Sequence, residues 1–448
     1  MREMIKEDII KNVKVIDTSC VNFTDVTKYE HLVTEDNIWT KAIQAALDEN
    51  KNVYIPYIGK EIVIDGSIFM DSHTNLKVDK NQHIRLKENS NTYMIRNRNI
   101  LPGSHAYIDM HNPDEYITVS GGIWSGPGNG KNTLEWACCV SSAMAFSNVK
   151  YVNITDVAFD DIRPYSIMMS NCENFYVNNI RFDNCKNDGF HVDGPARYGH
   201  ISNLSGEGLG DDMVAILAWD WYNCGMTNGN IEKIFVENVV GDNNELRLLT
   251  GRRIYPNGTT HDCDIKDCVI ENFSGLYTYK MYYQPHCRNV VMKDKNFDRA
   301  ETVGRMENIY FNNISFPNVK ANGFSDIPVL GLFDILADCK NLNFENIKVS
   351  DSLDELDAKG VKLINAGPIS ATWKYGRSTD DWGDFFDPDM CCEVEDIHLD
   401  NITFDGEKVT DSSRLVKETH QTINSDYPNT TPAGGKGFGK IKSVEVHG

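Results

Sequence analysis

Two short acidic motifs stand 23 residues apart in this chain (188 to 211): Asn187-Asp188-Gly189 and Gly210-Asp211-Asp212. Gathered carboxyls can divide acid and base duties. One keeps a proton and gives it to a leaving oxygen; another is ionised and activates water or attacks carbon. Crowding supplies the difference, because like charges at short range raise at least one pKa. Hydrolysis of a glycosidic bond makes this demand. Aspartate pairs are also common in solvated turns. Here, however, Met213-Val214-Ala215-Ile216 follows the second motif and Phe190 follows the first. Each motif therefore runs into a strand, at a matching place.

The elements that must hold the motifs are written in a loose repeat. A short alternating pattern with an Asn before an apolar residue recurs in NVKYVNITDVAF, ENFYVNNIRF, YGHISNLSG, IEKIFVENVVG, DCDIKDCVIENFSG, MENIYFNNISF, CKNLNFENIKV and VEDIHLDNITF. The corresponding residues are Asn153, Asn179, Asn203, Asn238, Asn272, Asn313, Asn346 and Asn401. Repeats of this length built from period-2 segments indicate a parallel β-solenoid, with equivalent strands stacked from coil to coil. Stacked Asn side chains can bond to one another at the bends. A gap of 23 residues is one coil, so the acid motifs are expected side by side. Unequal gaps send loops from the corners, where binding clefts form.

Residues 36–48 read as an amphipathic helix with Ile38, Ala42, Ile43, Ala46 and Leu47 on one face and Asp36 or Asn37 as cap. It would cover the N-terminal end of the solenoid. From about Asp411 the chain is polar and is expected to pack as a loose tail. No linker divides residues 1–448, so the expectation is one all-β domain with a capping helix.

The net charge of −21, from 65 acidic and 44 basic residues, argues against nucleic acid as partner. No segment is apolar for long enough to span a membrane. The N-terminus lacks the apolar core of a secretory signal, which suggests a cytoplasmic protein. The twelve cysteines show no metal-binding spacing and are expected as reduced core thiols. No metal and no cofactor are expected. A homo-oligomer is left open.

Between Asp36 and Lys280 the sequence resembles the polygalacturonase family of glycoside hydrolases, family 28. VYIPYIGKEIVIDGSI resembles the family's opening, and YITVSGGIWSGPGNG its Gly-rich turn. Lys186-Asn187-Asp188-Gly189 stands for its Asn-Thr-Asp-Gly motif and Gly210-Asp211-Asp212 for its Gly-Asp-Asp motif. The resemblance implies a right-handed parallel β-helix and an oligosaccharide substrate, a pectin-derived galacturonide or related sugar. It also implies Asp211 as proton donor, with Asp188 and Asp212 positioning and deprotonating water, and hence inversion. The family's Gly-His-Gly motif is missing; Asn244, His191 or Arg247 would take over its His. Alternation puts His191 and Asp193 on one face. The family's Arg-Ile-Lys motif has two registers here, Arg247 with Leu249 or Thr278 with Lys280, and either implies a changed sugar at the cleavage position.

Trp219, Trp221 and Tyr222 in LAWDWYNCG are candidates to stack on sugar rings, with Tyr165 and Trp124 behind them. Core packing is the alternative. The long segment they occupy suggests exo-cleavage of short oligosaccharides. Two other readings fit a β-helix: a lyase or epimerase, which needs a basic proton abstractor, and a non-catalytic carbohydrate-binding module.

Overall fold

The computed structural model describes residues 1–100, 110–127, 142–219, 226–254, 260–283, 304–317, 319, 330–367, 391–419 and 438–448. The strands that carry the coils are β1 (Asn52–Ile55), β2 (Asn75–Val78), β3 (Asp114–Ser120), β4 (Met144–Asp160), β5 (Ile167–Asp183), β6 (Phe190–Glu207) and β7 (Asp212–Leu217). They continue as β8 (Ile231–Ile254), β9 (Ile265–Tyr283), β10 (Arg305–Phe316), β11 (Gly331–Leu336), β12 (Asp338–Val349), β13 (Lys362–Ala366) and β14 (Cys391–Asp400).

Period-2 patterning turns one side chain in two into the interior, and stacking multiplies that choice along the axis. One interior column runs through Val53, Leu76, Val119, Ile154, Val177, Ile201, Val236, Ile270, Phe311, Phe344 and Leu399. Every member is buried. All pairings between these coils are parallel, so the chain is a right-handed parallel β-helix, as expected.

The bends explain the asparagines. Asn179, Asn203, Asn238, Asn272, Asn313, Asn346 and Asn401 all have φ between 53° and 56°. That left-handed conformation is one Asn tolerates and β-branched residues resist. Their side chains bond along the axis: Asn272 Nδ2 to Asn238 Oδ1 at 3.0 Å, Asn313 Nδ2 to Asn272 Oδ1 at 2.7 Å, and Asn401 Nδ2 to Asn346 Oδ1 at 2.6 Å. In the first of these coils the position belongs to Asp156, not Asn153. Asp156 has φ 58° and accepts from Asn179 Nδ2 at 2.7 Å. Asn153 lies inside β4, opposite Tyr176.

The ends differ from expectation in three ways. Helix α2 (Thr40–Glu49) buries Ala42, Ile43, Ala46 and Leu47 as expected, but it starts later and neither Asp36 nor Asn37 caps it. Asn37 instead donates to Glu61 O at 2.7 Å and accepts from Trp39 Nε1 at 3.0 Å. An unexpected helix α1 (Arg2–Asn12) lies across the outside of β6, β8 and β9. Its Ile5 and Ile9 pack with Phe235, Val269 and Tyr310, and Lys6 Nζ meets Glu271 Oε1 at 2.6 Å. The tail is not loose at its described parts. Val416–Glu418 pairs with β13, and Phe438–Ile441 and Val444–His447 pair with β14.

Candidate active site

A second sheet of the helix carries the acid motifs. Its interior rows are apolar: Met144, Ile167, Phe190, Val214 and Leu246 on one side, and Phe146, Met169, Val192, Ile216 and Leu248 on the other. Between them one row, register partners from coil to coil, reads Arg96, Ala145, Met168, His191, Ala215, Arg247, Lys280, Asp334, Asn365 and Lys417. From Arg247 onward this row is polar or charged. Asp188 sits just before β6 and Asp212 opens β7.

Glycines make the close stacking of these two coils feasible. A Cβ on Gly210 would lie 2.2 Å from Lys186 O, and one on Gly189 would lie 2.9 Å from the Phe182 ring and 3.0 Å from Met213 O. The glycine in each motif therefore lets the neighbouring coil approach, and the aspartates come with it.

Asp188, Asp211 and Asp212 each offer a carboxylate oxygen, all within 4.8 Å of one another. Asp188 and Asp212 are buried, whereas the Asp211 side chain keeps 25% of its surface exposed. Arg247, one coil on, sets Nη2 3.0 Å from Asp211 Oδ1 and Nε 3.0 Å from Asp212 Oδ2. Glu245 Oε2 lies 3.6 Å from the same Nη2. The contact with Asp212 lacks hydrogen-bond alignment, and no described donor bonds to either Asp212 oxygen. Burial therefore pushes the Asp212 carboxyl well above the usual range; Arg247 opposes this, while Asp211, Asp188 and Glu245 add to it. The three oxygens have the reach to share a cation, but the guanidinium already supplies positive charge to two of them.

On the other side of Asp188 stands His191. Its Nδ1 is 2.6 Å from Asp188 Oδ2 and its Nε2 is 3.2 Å from Asp193 Oδ1. The Tyr165 ring stacks on the imidazole, with centroids 4.1 Å apart.

The expected site residues separate as follows. Asp188, Asp211, Asp212 and Arg247 form one cluster, and His191 joins it through Asp188. Of the described candidates for the missing family His, Arg247 reaches the Asp211–Asp212 pair. His191 is buried and engaged by carboxylates at both nitrogens, so it is not placed as a substrate contact. Trp219 is a correction: it is fully buried and belongs to the apolar core. Trp124 is also buried, its Nε1 donating to Gly121 O at 3.1 Å. Trp221 and Tyr222 lie outside the described residues, as do the side chains of Asn244 and Lys280. The Lys280 backbone is the register partner of Arg247.

Glu245 was missed by sequence reasoning. Its signal was available, since alternation puts residues two apart on one face and Glu245 precedes Arg247 by two. No described helix is long and apolar enough to cross a membrane.

Fold and site together define the class, a parallel β-helix with a carboxylate cluster on one sheet. No protein-family model matches the sequence, and no curated protein matches it. Solved structures do. A hyperthermoactive exopolygalacturonase from Thermotoga maritima matches with a TM-score of 0.53 at 12% identity, covering 100% of this chain and 96% of that one. The A-module of the mannuronan C-5 epimerase AlgE6 from Azotobacter vinelandii matches with a TM-score of 0.49 at 10% identity, covering 95% and 100%. The surface adhesin PfbA of Streptococcus pneumoniae matches with a TM-score of 0.43 at 15% identity, covering 84% and 89%. At these identities the likeness establishes the fold alone.

Proposed function

We propose that this chain is a glycoside hydrolase that cleaves an oligosaccharide by aspartate acid–base catalysis. The observation that carries this is the cluster of Asp188, Asp211 and Asp212, with oxygens within 4.8 Å and the carboxyl of one member pushed up by burial. The two halves of the acid's role are spread over neighbours. Asp211 is the member that solvent reaches; Asp212 is the member whose carboxyl burial pushes upward. A carboxyl with a raised pKa beside an accessible carboxylate suits protonation of a leaving oxygen. Arg247 limits the repulsion among the acids. The substrate in this reading is a pectin-derived galacturonide or a related sugar, and the long segment after Leu217 favours exo-cleavage of short fragments.

The test is a screen of wild type and Asp211→Asn against oligogalacturonides and neutral α- and β-linked oligosaccharides, reading reducing-end release. Wild-type cleavage of one class and loss of several orders of magnitude in the variant support the reading. An unsaturated product absorbing in the ultraviolet would replace it with a lyase. Binding without turnover would replace it with a carbohydrate-binding role. Proton NMR of the first-formed anomer reads the stereochemical course.

A further inference from the structure

We propose that His191 is a positioning residue, locked between Asp188 and Asp193, that orients the Asp188 carboxyl for catalysis and makes no contact with substrate. The proposal rests on the hydrolase reading for its kinetic consequence, but the lock itself stands on geometry alone.

The three residues come from one short run of sequence. Asp188 lies in the turn before β6, and His191 and Asp193 share the outward face of that strand by alternation. All three are buried: relative exposures are 2% for Asp188, 1% for His191 and 0% for Asp193. Buried carboxylates and imidazoles are costly unless each finds partners, and here each carboxyl oxygen has one. Asp193 Oδ2 accepts from the Met226 backbone N–H at 2.7 Å, and Asp193 Oδ1 faces His191 Nε2 at 3.2 Å. His191 Nδ1 faces Asp188 Oδ2 at 2.6 Å, and Asp188 Oδ1 accepts a long bond from the Asp212 N–H at 3.4 Å. The result is a directed chain, from Met226 N–H through Asp193, His191 and Asp188 to the backbone of the Gly-Asp-Asp motif one coil away.

The ring has little freedom to leave this line. Tyr165 stacks on it at 4.1 Å with planes 23° apart. Met168 and Ala215 flank it in register on the neighbouring coils. A side chain with almost no exposure and with both nitrogens facing carboxylates has no surface to offer a sugar. What it can do is hold the Asp188 carboxyl in one orientation, as an Asp–His pair holds an imidazole in hydrolases of other folds.

The experiment has two arms. In the first, nitrogen-15 spectra of wild type, Asp193→Asn and Asp188→Asn report the His191 ring. A single locked hydrogen-bonding pattern in wild type, altered in both variants, is expected. A ring that averages freely between tautomers would overturn the lock, whatever the enzyme does. In the second, kinetics of Asp193→Asn and His191→Gln are measured on the substrate found in the screen. A fall in kcat of at least about ten-fold with KM nearly unchanged is expected. A raised KM with kcat unchanged overturns the proposal, because it makes His191 a substrate contact. If wild type cleaves nothing, the hydrolase reading fails while the spectra still decide the lock. The wild-type spectrum needs no variant to fold.

Discussion

Replacing Asp212 with Asn should make the protein more stable at neutral pH while removing its activity. Asp212 is fully buried, receives no hydrogen bond from a described donor, and has its carboxyl pushed well above the usual range, chiefly by burial. A folded pKa above the unfolded value near 3.9 means that the folded state holds a proton that the unfolded chain releases as pH rises. The group therefore contributes nothing adverse below about pH 4 and costs about 1.4 kcal/mol per pH unit above it, until the folded pKa is reached. At pH 7 the ceiling is about 4 kcal/mol. Asn resembles the protonated acid in shape and cannot ionise, so it removes this cost. Urea unfolding of wild type and Asp212→Asn from pH 4 to pH 8 checks the reasoning. The curves should coincide near pH 4 and diverge upward in favour of the variant, while turnover falls by several orders of magnitude. A variant equally or less stable at pH 7, or a gain that does not change with pH, would refute the burial argument. The pattern expected is a stability cost tied to function.

Three further outcomes are expected. Arg247→Met removes the cation from Asp211, Asp212 and Glu245 and should destabilise by about 3–5 kcal/mol at pH 7; the loss should shrink as pH falls and the acids protonate, which urea titrations at two pH values will show. Gly210→Ala places a Cβ 2.2 Å from Lys186 O and should cost about 1–3 kcal/mol by forcing the two acid-bearing coils apart, with activity falling alongside. Asn272→Ala breaks side-chain bonds to Asn238 and Asn313 at a residue with φ 53° and should cost about 1–3 kcal/mol without altering KM.

The coils were legible in the residues themselves. Alternation of apolar side chains marks strands with one buried face, and an Asn that tolerates a left-handed bend marks each corner. Both are local properties, readable without knowing the neighbour. The pairing of Asp188 with Asp211 and Asp212 was legible for a related reason, since a gap of one coil brings residues side by side on any parallel solenoid. The substitution of Asp156 for Asn153 was not, because three residues of register within one strand are fixed by stacking against Asn179. Helix α1 escaped notice because its apolar face is thin, just Ile5 and Ile9, and gains its stability from Phe235, Val269 and Tyr310 more than 200 residues away.

What the sequence by itself determined, then, is the repeating strand, its bends, and the two acid motifs one coil apart. What only the tertiary structure decided is which charged groups lose water and whom they meet. Arg247 is seen at the Asp pair, His191 is enclosed by two carboxylates, and Trp219 fills the core where a sugar platform was expected. Burial and Coulomb energy depend on groups brought together from separate coils, and a local pattern carries no record of that distance.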